Sequence, residues 1–213
     1  MKPTTLLLIR HGETAWNAEH RIQGHLDIPL SPSGIRQAHR LAERLAGDAI
    51  DAVYSSELTR AWLTAVPLAE RLGLEVIAES RLRERSFGIF EGLTLDEVAH
   101  RHPEAFAQWR GRDPEWLLEG GESGRQLIDR VLAAFNDIVV RHRGATVAIV
   151  SHGGVLDVVY RAARALTWQA PREHQMLNAS INRLSASAPP FSMAIISWGD
   201  VGHLAEARDE TLT

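Results

Sequence analysis

The chain has 213 residues, of which 45% are hydrophobic and 23% charged, with a formal net charge of −4 and no cysteine. This composition is typical of a globular protein whose length allows a full core. Without cysteine there are no disulfide bonds or thiolate metal sites. The sequence contains no run of about 20 apolar residues, so no membrane span is predicted. No signal peptide is recognisable, and no block of basic residues favours nucleic acid as a partner. We therefore expect a cytoplasmic protein.

The first predicted element is a buried strand at the apolar run Leu6–Ile9, which ends abruptly at Arg10, His11 and Gly12. Ligands of open α/β sheets bind just beyond the carboxyl ends of the strands, so Arg10 and His11 should lie at the mouth of a pocket. Gly12 removes a side chain at a point where a ligand could approach the backbone.

A helix is predicted next, after a loop that extends to Pro29. Ser31 and Pro32 suit its N-cap and first helical position, and its apolar face begins at Ile35. The later elements, in chain order, are a strand at 51–55, a helix at 58–72 capped through Ser55 and Ser56, a strand at 74–78, short helices at 94–102 and 104–109, a long helix from 123, a strand at 146–151, a helix at 155–165, and strands at 180–187 and 192–198.

This alternation of strands and helices predicts an α/β fold, a three-layer α/β/α sandwich with a mostly parallel sheet. We expect residues 1–213 to form a single domain. The pattern becomes irregular at about 88–122, which suggests an excursion that covers one end of the sheet.

Two predicted strands end in the same way, one in Arg10-His11-Gly12 and the other in His152-Gly153-Gly154. If these strands are neighbours, two imidazoles and a guanidinium face one cavity. A single histidine at a strand end is usually structural, but two such ends in one chain favour a shared site.

Phosphoryl transfer needs this mixture of residues, because its catalysis consists mainly of positioning and charge stabilisation. His11 can be a nucleophile if it is neutral and one ring nitrogen is held, for which the carbonyl of Gly12 is a candidate. Arg10 offers a planar, permanently charged fork for phosphate oxygens, and His152 suits a second charged donor. The helix that starts at Gly153 directs N–H groups toward a bound anion.

Two further residues complete the hypothesis. Arg60 lies one helical turn inside the helix that follows Ser56, although an arginine there is more commonly a surface residue. Glu84, after the third strand, is the candidate acid for the leaving group. By itself it would be interpreted as a solvated glutamate.

The sequence resembles the histidine phosphatase superfamily, also called phosphoglycerate mutase-like. The matching blocks run in order from Thr5 to about Trp198: Arg10-His11-Gly12-Glu13-Thr14 with Trp16-Asn17, Ser55 to Ala61, Leu82-Arg83-Glu84, Ser151-His152-Gly153 and Asn178 to Ile181. The resemblance implies His11 as the phosphorylated residue, Glu84 as the proton donor, and Arg10, Arg60 and His152 as a cationic phosphate pocket. It places Asn17, Gln23, Gly24 and the Gly153 amide at the edge of the pocket, and it implies no metal and no other cofactor.

The resemblance leaves two activities open, a phosphatase and a mutase. Mutases of the family typically have Asn after the His-Gly of the late block, where this chain has Gly154, and a His-Tyr pair where it has Ser86-Phe87. The sequence therefore favours a phosphatase acting on small phosphomonoesters, with a phosphoglycerate mutase as the alternative. A non-catalytic phosphate-binding module is the less favoured reading.

The excursion offers Trp109, Arg110, Arg112 and Trp116 for the choice of substrate. The arginines could hold a carboxylate or a second phosphate, the tryptophans could stack on a ring, or the segment could be a packed lid with solvated arginines. The sequence leaves these alternatives open. The predicted partner is a small phosphorylated metabolite, with neither nucleic acid nor membrane, and a homodimer is an open alternative.

Overall fold

The computed structural model describes residues 2–204, and its centre is a six-stranded sheet in the order β3-β2-β4-β1-β5-β6. The strands are β1 (Thr4–Arg10), β2 (Ala52–Ser55), β3 (Val76–Ala78), β4 (Thr146–Ser151), β5 (Ile181–Ser187) and β6 (Ser192–Asp200). Strands β1, β4, β2 and β3 pair in parallel, whereas β5 is antiparallel to both of its neighbours. The prediction of a mostly parallel sheet is confirmed.

Helices cover both faces of the sheet. The helices within residues 2–204 are α1 (Ala15–Ala18), α2 (Pro32–Leu45), α3 (Thr59–Leu72), α4 (Leu95–Arg101), α5 (Pro103–Arg110), α6 (Gly124–Arg141) and α7 (Gly153–Ala163). Those that pack on the sheet are α2 and α3 on one face and α6 and α7 on the other. In β1, Leu6 and Leu8 pack into the core beneath α6 and α7, while Leu7 and Ile9 pack beneath α2 and α3. Because successive side chains of a strand point to opposite faces, one apolar strand supplies both cores. This is the predicted three-layer α/β/α arrangement.

Helix α2 begins as predicted but buries a narrower face. The Ser31 side chain accepts a hydrogen bond from the backbone of Gly34, and Pro32 is the first helical residue. Ile35, predicted to be on the apolar face, is 48% exposed. The first turn packs against the rest of the protein through Gly34, and the next residue is rotated about 100° toward solvent.

The N-terminus of α3 is capped by a distant residue and not by the predicted serines. Leu58 is the N-cap and its side chain makes no capping bond. The backbone N–H and hydroxyl of Thr59 instead donate to the two carboxylate oxygens of Asp27, at 2.7 and 2.6 Å. The loop before α2 is thus tied to the start of the helix that contains Arg60.

The excursion at 88–122 forms a cover with a small apolar cluster of its own. It contains a 3₁₀ turn at Gly88–Phe90 and helices α4 and α5. The buried members of the cluster are Ile22, Phe87, Phe90, Val98 and Leu118, against which Trp109 and Trp116 pack. No helix within residues 2–204 is long and apolar enough to cross a membrane.

Gly12 is required by a backbone contact within the protein. A Cβ atom on Gly12 would lie 2.7 Å from the carbonyl oxygen of Gly34, and one on Gly34 would lie 2.0 Å from the carbonyl oxygen of Glu13. The segment after β1 and the first turn of α2 therefore approach each other as bare backbone. This contact by itself accounts for the glycine after His11.

We predict that Gly34→Ala destabilises the protein by about 1–3 kcal/mol, because the added methyl group meets backbone that cannot move aside cheaply. Gly47→Ala is the matched control, since a Cβ atom there has no neighbour within 4 Å and the free energy should change by about 0.5 kcal/mol or less. Urea unfolding measures both. Equal midpoints for the two variants would contradict the proposed close approach.

Candidate active site

The two histidine-bearing strand ends are neighbours in the sheet. Strands β1 and β4 pair with Arg10 opposite Ser151, and the backbone N–H of His11 donates to the Ser151 carbonyl at 2.9 Å. The rings of His11 and His152 follow, with centroids 5.1 Å apart. The long helices that follow β1 and β4, α2 and α7, lie on opposite faces of the sheet, which is the arrangement that opens a ligand crevice at strand ends.

The His11 ring is held in one tautomer. Its Nδ1 lies 2.7 Å from the carbonyl oxygen of Gly12, so Nδ1 bears the proton and the Nε2 lone pair is the available nucleophile. Burial lowers the pKa of His11 well below its ordinary value, and the positive charges of Arg60 and Arg10 lower it further. The imidazole is therefore neutral at pH 7, as nucleophilic attack requires.

Both predicted arginines are buried at this site. Arg60 is fully buried in α3, and its guanidinium donates to the carbonyl oxygens of Leu26 at 2.8 Å and Gly24 at 2.7 Å. Arg10 is buried at the end of β1 and donates to the carbonyl of Met176. These carbonyl groups fix the orientation of the two cations beside His11.

His152 is buried, and its Nε2 lies 2.8 Å from the hydroxyl of Ser56. Burial lowers the pKa of His152 well below the usual range, and the nearby charge of Arg60 is the next cause. His152 is therefore neutral by itself, and its predicted role as a charged donor requires protonation on phosphate binding. A phosphate dianion beside the ring would favour the imidazolium form. Ser56 was predicted as a helix cap and is instead the partner of this ring.

The carboxylate of Glu84 lies against the start of α7. It accepts from the backbone of Gly154 at 3.1 and 3.2 Å and from that of Arg85 at 2.7 Å. A Cβ atom on Gly154 would lie 2.4 Å from Glu84 Oε1, so the absence of a side chain there makes room for the carboxylate. The Gly154 N–H, expected to face a bound anion, faces Glu84, and Gly153 remains the candidate amide.

Arg130 holds the segment that presents Glu84, and sequence reasoning missed it. From α6 its guanidinium donates to the carbonyl oxygens of Arg81 at 2.7 Å, Arg83 at 2.8 Å and Glu84 at 2.8 Å. It also pairs with Glu122 at 2.5 Å. An arginine within a long amphipathic helix has no local signature that separates this role from a solvated position.

The predicted edge residues take different positions. The Asn17 amide oxygen accepts from the backbone of Thr14 at 3.0 Å and from Asn178 at 3.4 Å, and Asn178 also donates to the carbonyl of His11 at 3.0 Å. Asn17 is thus joined to the His11 segment. Gly24, with φ +52°, supplies a carbonyl to Arg60. Gln23 is buried beside it, and its amide oxygen has no hydrogen-bond partner within residues 2–204.

A cavity of about 410 Å³ adjoins Glu84. Besides Glu84 and Gly154, it is lined mainly by Arg85, Phe87, Trp109, Arg110, Arg112, Asp157, Trp168, Arg172 and Met176. Within residues 2–204 no group of three or more His, Asp or Glu side chains has the arrangement of a metal site.

Comparison with known proteins identifies the family. Residues 6–197 match the family model of the histidine phosphatase superfamily (branch 1). The chain belongs to this superfamily. Its relatives include "Phosphoglycerate mutase-like protein 4" of Arabidopsis thaliana, which is 41% identical over 94% of this chain and 87% of the relative. Another is "Metal-independent phosphoserine phosphatase" of the same plant, 40% identical over 95% of this chain and 84% of the relative.

Solved structures agree with this family. The mycobacterial glucosyl-3-phosphoglycerate phosphatase in complex with VO3 superposes with a TM-score of 0.80 at 33% identity, covering 92% of this chain and 98% of that chain. A Bacillus stearothermophilus protein, YhfR, gives a TM-score of 0.82 at 34% identity, covering 94% and 98% of the two chains. The histidine phosphatase fold therefore accounts for the sheet and both helical layers.

We predict that the pKa of His11 lies well below the ordinary histidine value, because burial and then the charges of Arg60 and Arg10 disfavour the imidazolium. Removing one cation in Arg60→Met should raise the pKa of His11, since a positive neighbour favours the neutral ring. NMR titration of the His11 ring measures this directly. Arg40→Met, an exposed position on α2, is the control. A midpoint unchanged by Arg60→Met would remove Arg60 from the electrostatics of His11.

Proposed function

We propose that this protein is a phosphatase that hydrolyses small phosphomonoesters through a phosphohistidine on His11. The observation that supports this most directly is the 2.7 Å contact between His11 Nδ1 and the Gly12 carbonyl. It fixes a neutral ring whose Nε2 lone pair lies among buried cations. The names of relatives, which include phosphoserine phosphatases, support the same reaction class.

The reaction has two steps. His11 Nε2 attacks phosphorus, an N–P bond forms, and the ester P–O bond breaks while Glu84 gives a proton to the departing oxygen. Water then attacks phosphorus, Glu84 accepts a proton from it, and the N–P bond breaks to release inorganic phosphate and neutral His11. Atoms and charge balance over one cycle with water as the only co-reactant.

The surrounding groups stabilise the charge that develops on the phosphoryl oxygens. Arg10 and Arg60 are fixed cations, and His152 becomes a charged donor when the dianion is bound. The Gly153 N–H at the start of α7 adds a fixed dipole. None of these roles requires a metal ion, so chelator-treated enzyme should retain its rate.

A mutase that returns the phosphoryl group to a second hydroxyl is the alternative, favoured by the names of some relatives. Against it, position 154 is Gly, and Glu84 occupies the space that a side chain there would fill. Assays of phosphoglycerate interconversion with a bisphosphate primer, run beside phosphate release, separate the two. Interconversion much faster than hydrolysis would favour the mutase.

Trapping of the intermediate tests the proposal. Enzyme quenched with alkali during turnover of a ³²P-labelled phosphomonoester should contain label in an acid-labile N–P linkage on His11. His11→Ala should lose both label and turnover. Product formed at the normal rate by His11→Ala, or without label on the ring, would overturn the phosphohistidine mechanism.

The acid role of Glu84 predicts dependence on the leaving group. Glu84→Gln should slow hydrolysis of alkyl phosphates by about 10²–10⁴-fold, the usual contribution of a general acid. Aryl phosphates, whose leaving oxygens need little protonation, should lose far less. Glu104→Gln, at an exposed position in the first turn of α5, is the matched control. Equal losses on both substrate classes would contradict proton donation by Glu84.

A further inference from the structure

The loop that orients Arg60 is itself held by a glutamate of the cover. Glu91 lies directly after the 3₁₀ turn at Gly88–Phe90. Its Oε1 accepts a hydrogen bond from the backbone N–H of His25 at 3.0 Å and another from the backbone N–H of Phe87 at 2.9 Å. One carboxylate oxygen therefore joins the loop before α2 to the chain at the start of the cover.

The hydrogen bond to His25 involves the same peptide group that contacts Arg60. The carbonyl of Gly24 and the N–H of His25 belong to one planar peptide unit. The carbonyl accepts from Arg60 Nη2 at 2.7 Å, and the N–H donates to Glu91. Because the unit is planar, a bond that fixes the direction of the N–H also fixes the direction of the carbonyl. Glu91 and Arg60 are thus connected through a single peptide plane.

The absence of a side chain at Gly24 makes this contact possible. A Cβ atom there would lie 2.0 Å from Glu91 Oε1 and 2.4 Å from its carboxyl carbon. The φ of Gly24 is +52°, in the left-handed region that favours glycine. The turn at Gly24 is therefore shaped to accept the Glu91 carboxylate while its carbonyl faces Arg60.

Backbone pairing keeps this part of the cover beside the loop independently of the carboxylate. The N–H of Gly92 donates to the carbonyl of Ile22 at 2.8 Å, and the N–H of Ile22 donates to the carbonyl of Leu93 at 2.9 Å. The Arg21 guanidinium also donates to the carbonyl of Gly92 at 2.8 Å. A substitution at Glu91 therefore removes its own hydrogen bonds without undocking the cover.

The loop has more influence on Arg60 than on the candidate proton donor. The second carbonyl that accepts from Arg60, that of Leu26 at 2.8 Å, lies on the same loop. The His25 ring also donates from Nε2 to the carbonyl of Glu84 at 2.8 Å, but Arg130 binds that carbonyl as well. A displacement of the loop should therefore affect Arg60 first.

We propose that Glu91 is a positioning residue for Arg60. Through the peptide between Gly24 and His25 it holds the guanidinium beside His11, and it makes the geometry of the phosphoryl site depend on the cover. The catalytic consequence rests on the proposed phosphatase function of the His11 site. The role requires an acceptor oxygen at this place and no proton transfer by Glu91.

The pKa of His11 tests the proposal in the phosphate-free protein, because two effects of Glu91→Ala have opposite signs. Release of the peptide should let Arg60 move away from His11, and the weaker positive field should raise the pKa of His11, as in Arg60→Met. Loss of a carboxylate with Arg60 unmoved can only lower that pKa, since negative charge favours the imidazolium. NMR titration should therefore show a rise for Glu91→Ala. A fall or no change would overturn the proposal.

Glu91→Gln separates the acceptor oxygen from the charge. Its amide oxygen can accept from the same two N–H groups, so the pKa of His11 should not rise. The kcat/KM should stay within about fivefold of wild type, the difference between a charged and a neutral acceptor. Glu119→Ala, which removes an exposed carboxylate of the cover, is the control and should change neither quantity. Even if Glu91→Ala does not fold, a rise in the His11 pKa in Glu91→Gln would contradict positioning by the acceptor oxygen.

A double-mutant cycle tests whether Glu91 acts through Arg60. The substrate is an aryl phosphate, whose leaving oxygen needs little help from Glu84. Glu91→Ala alone should reduce kcat/KM by roughly 10–100-fold, the scale for misplacing a group by about 1 Å. In the Arg60→Met background it should cost less than about threefold, because residues that act through one another are not additive. A general structural defect would give the same factor in both backgrounds, and that result would overturn the proposal.

The titration and the kinetics fail independently. If wild type hydrolyses no phosphomonoester but Glu91→Ala raises the pKa of His11, the phosphatase assignment is wrong and the positioning role stands. If wild type hydrolyses aryl phosphate through His11 but the pKa of His11 does not rise in Glu91→Ala, the positioning role is wrong and the phosphatase assignment stands.

Discussion

The hydrogen bond between His11 Nδ1 and the Gly12 carbonyl is the constraint on which the site depends. A free imidazole exchanges tautomers and rotates, whereas this ring presents one nitrogen in one direction. The bond exists because β1 ends at Arg10 against β4, and because Gly12 packs on the bare backbone of Gly34. Thr64 completes the support by accepting from the Gly12 N–H at 2.9 Å. Strand pairing and this backbone contact together fix the direction of the Nε2 lone pair of His11.

The electrostatics of the site follow from the same burial. Burial of the two rings is the largest cause that lowers the pKa values of His11 and His152, and the charge of Arg60 is the next, so both rings stay neutral. In the proposed reaction, an arriving phosphate dianion would oppose the field of the arginines and favour protonation of His152. In that reaction the same two arginines would keep the His11 ring neutral and then stabilise the charge of the transferred group, as expected of a preorganised site.

Sequence reasoning predicted those features that have a local signature. An apolar run that ends in Arg-His-Gly marks a buried strand with functional groups at its end. A second strand that ends in His-Gly favoured a shared site if the two strands were neighbours, and the structure pairs them. The alternation of strands and helices along the chain is also a local signature, and it predicted the three layers. The exposure of Ile35 and the Asp27 cap of α3 were not predictable, because both depend on which distant segment meets the helix. The spacing of apolar residues indicates which face of a helix is buried, but not how far along the helix the segment packed against it extends.

The candidate site shows the same division. His11, Arg10 and His152 lie on adjoining strand ends, and their meeting follows from topology. The placement of Glu84 instead depends on Arg130, which binds three carbonyl oxygens of the segment 81–84, and on the space left by Gly154. Arginine and glycine more often have other roles in proteins, so the roles of Arg130 and Gly154 cannot be recognised before their contacts are known.

The groups at the strand ends and the arginines beside the cavity lie on elements of different rigidity. The groups that would handle the phosphoryl unit are fixed on strand ends and helix starts, where backbone pairing leaves little freedom. The arginines that face the adjoining cavity, Arg110 and Arg112, stand at the end of the short helix α5 and in a left-handed turn. Substitutions there alter charge and shape without touching the sheet. Under the proposed function, the chemistry can therefore stay constant while the adjoining cavity changes, because Arg110 and Arg112 lie on a different element from the strand ends that hold His11 and His152.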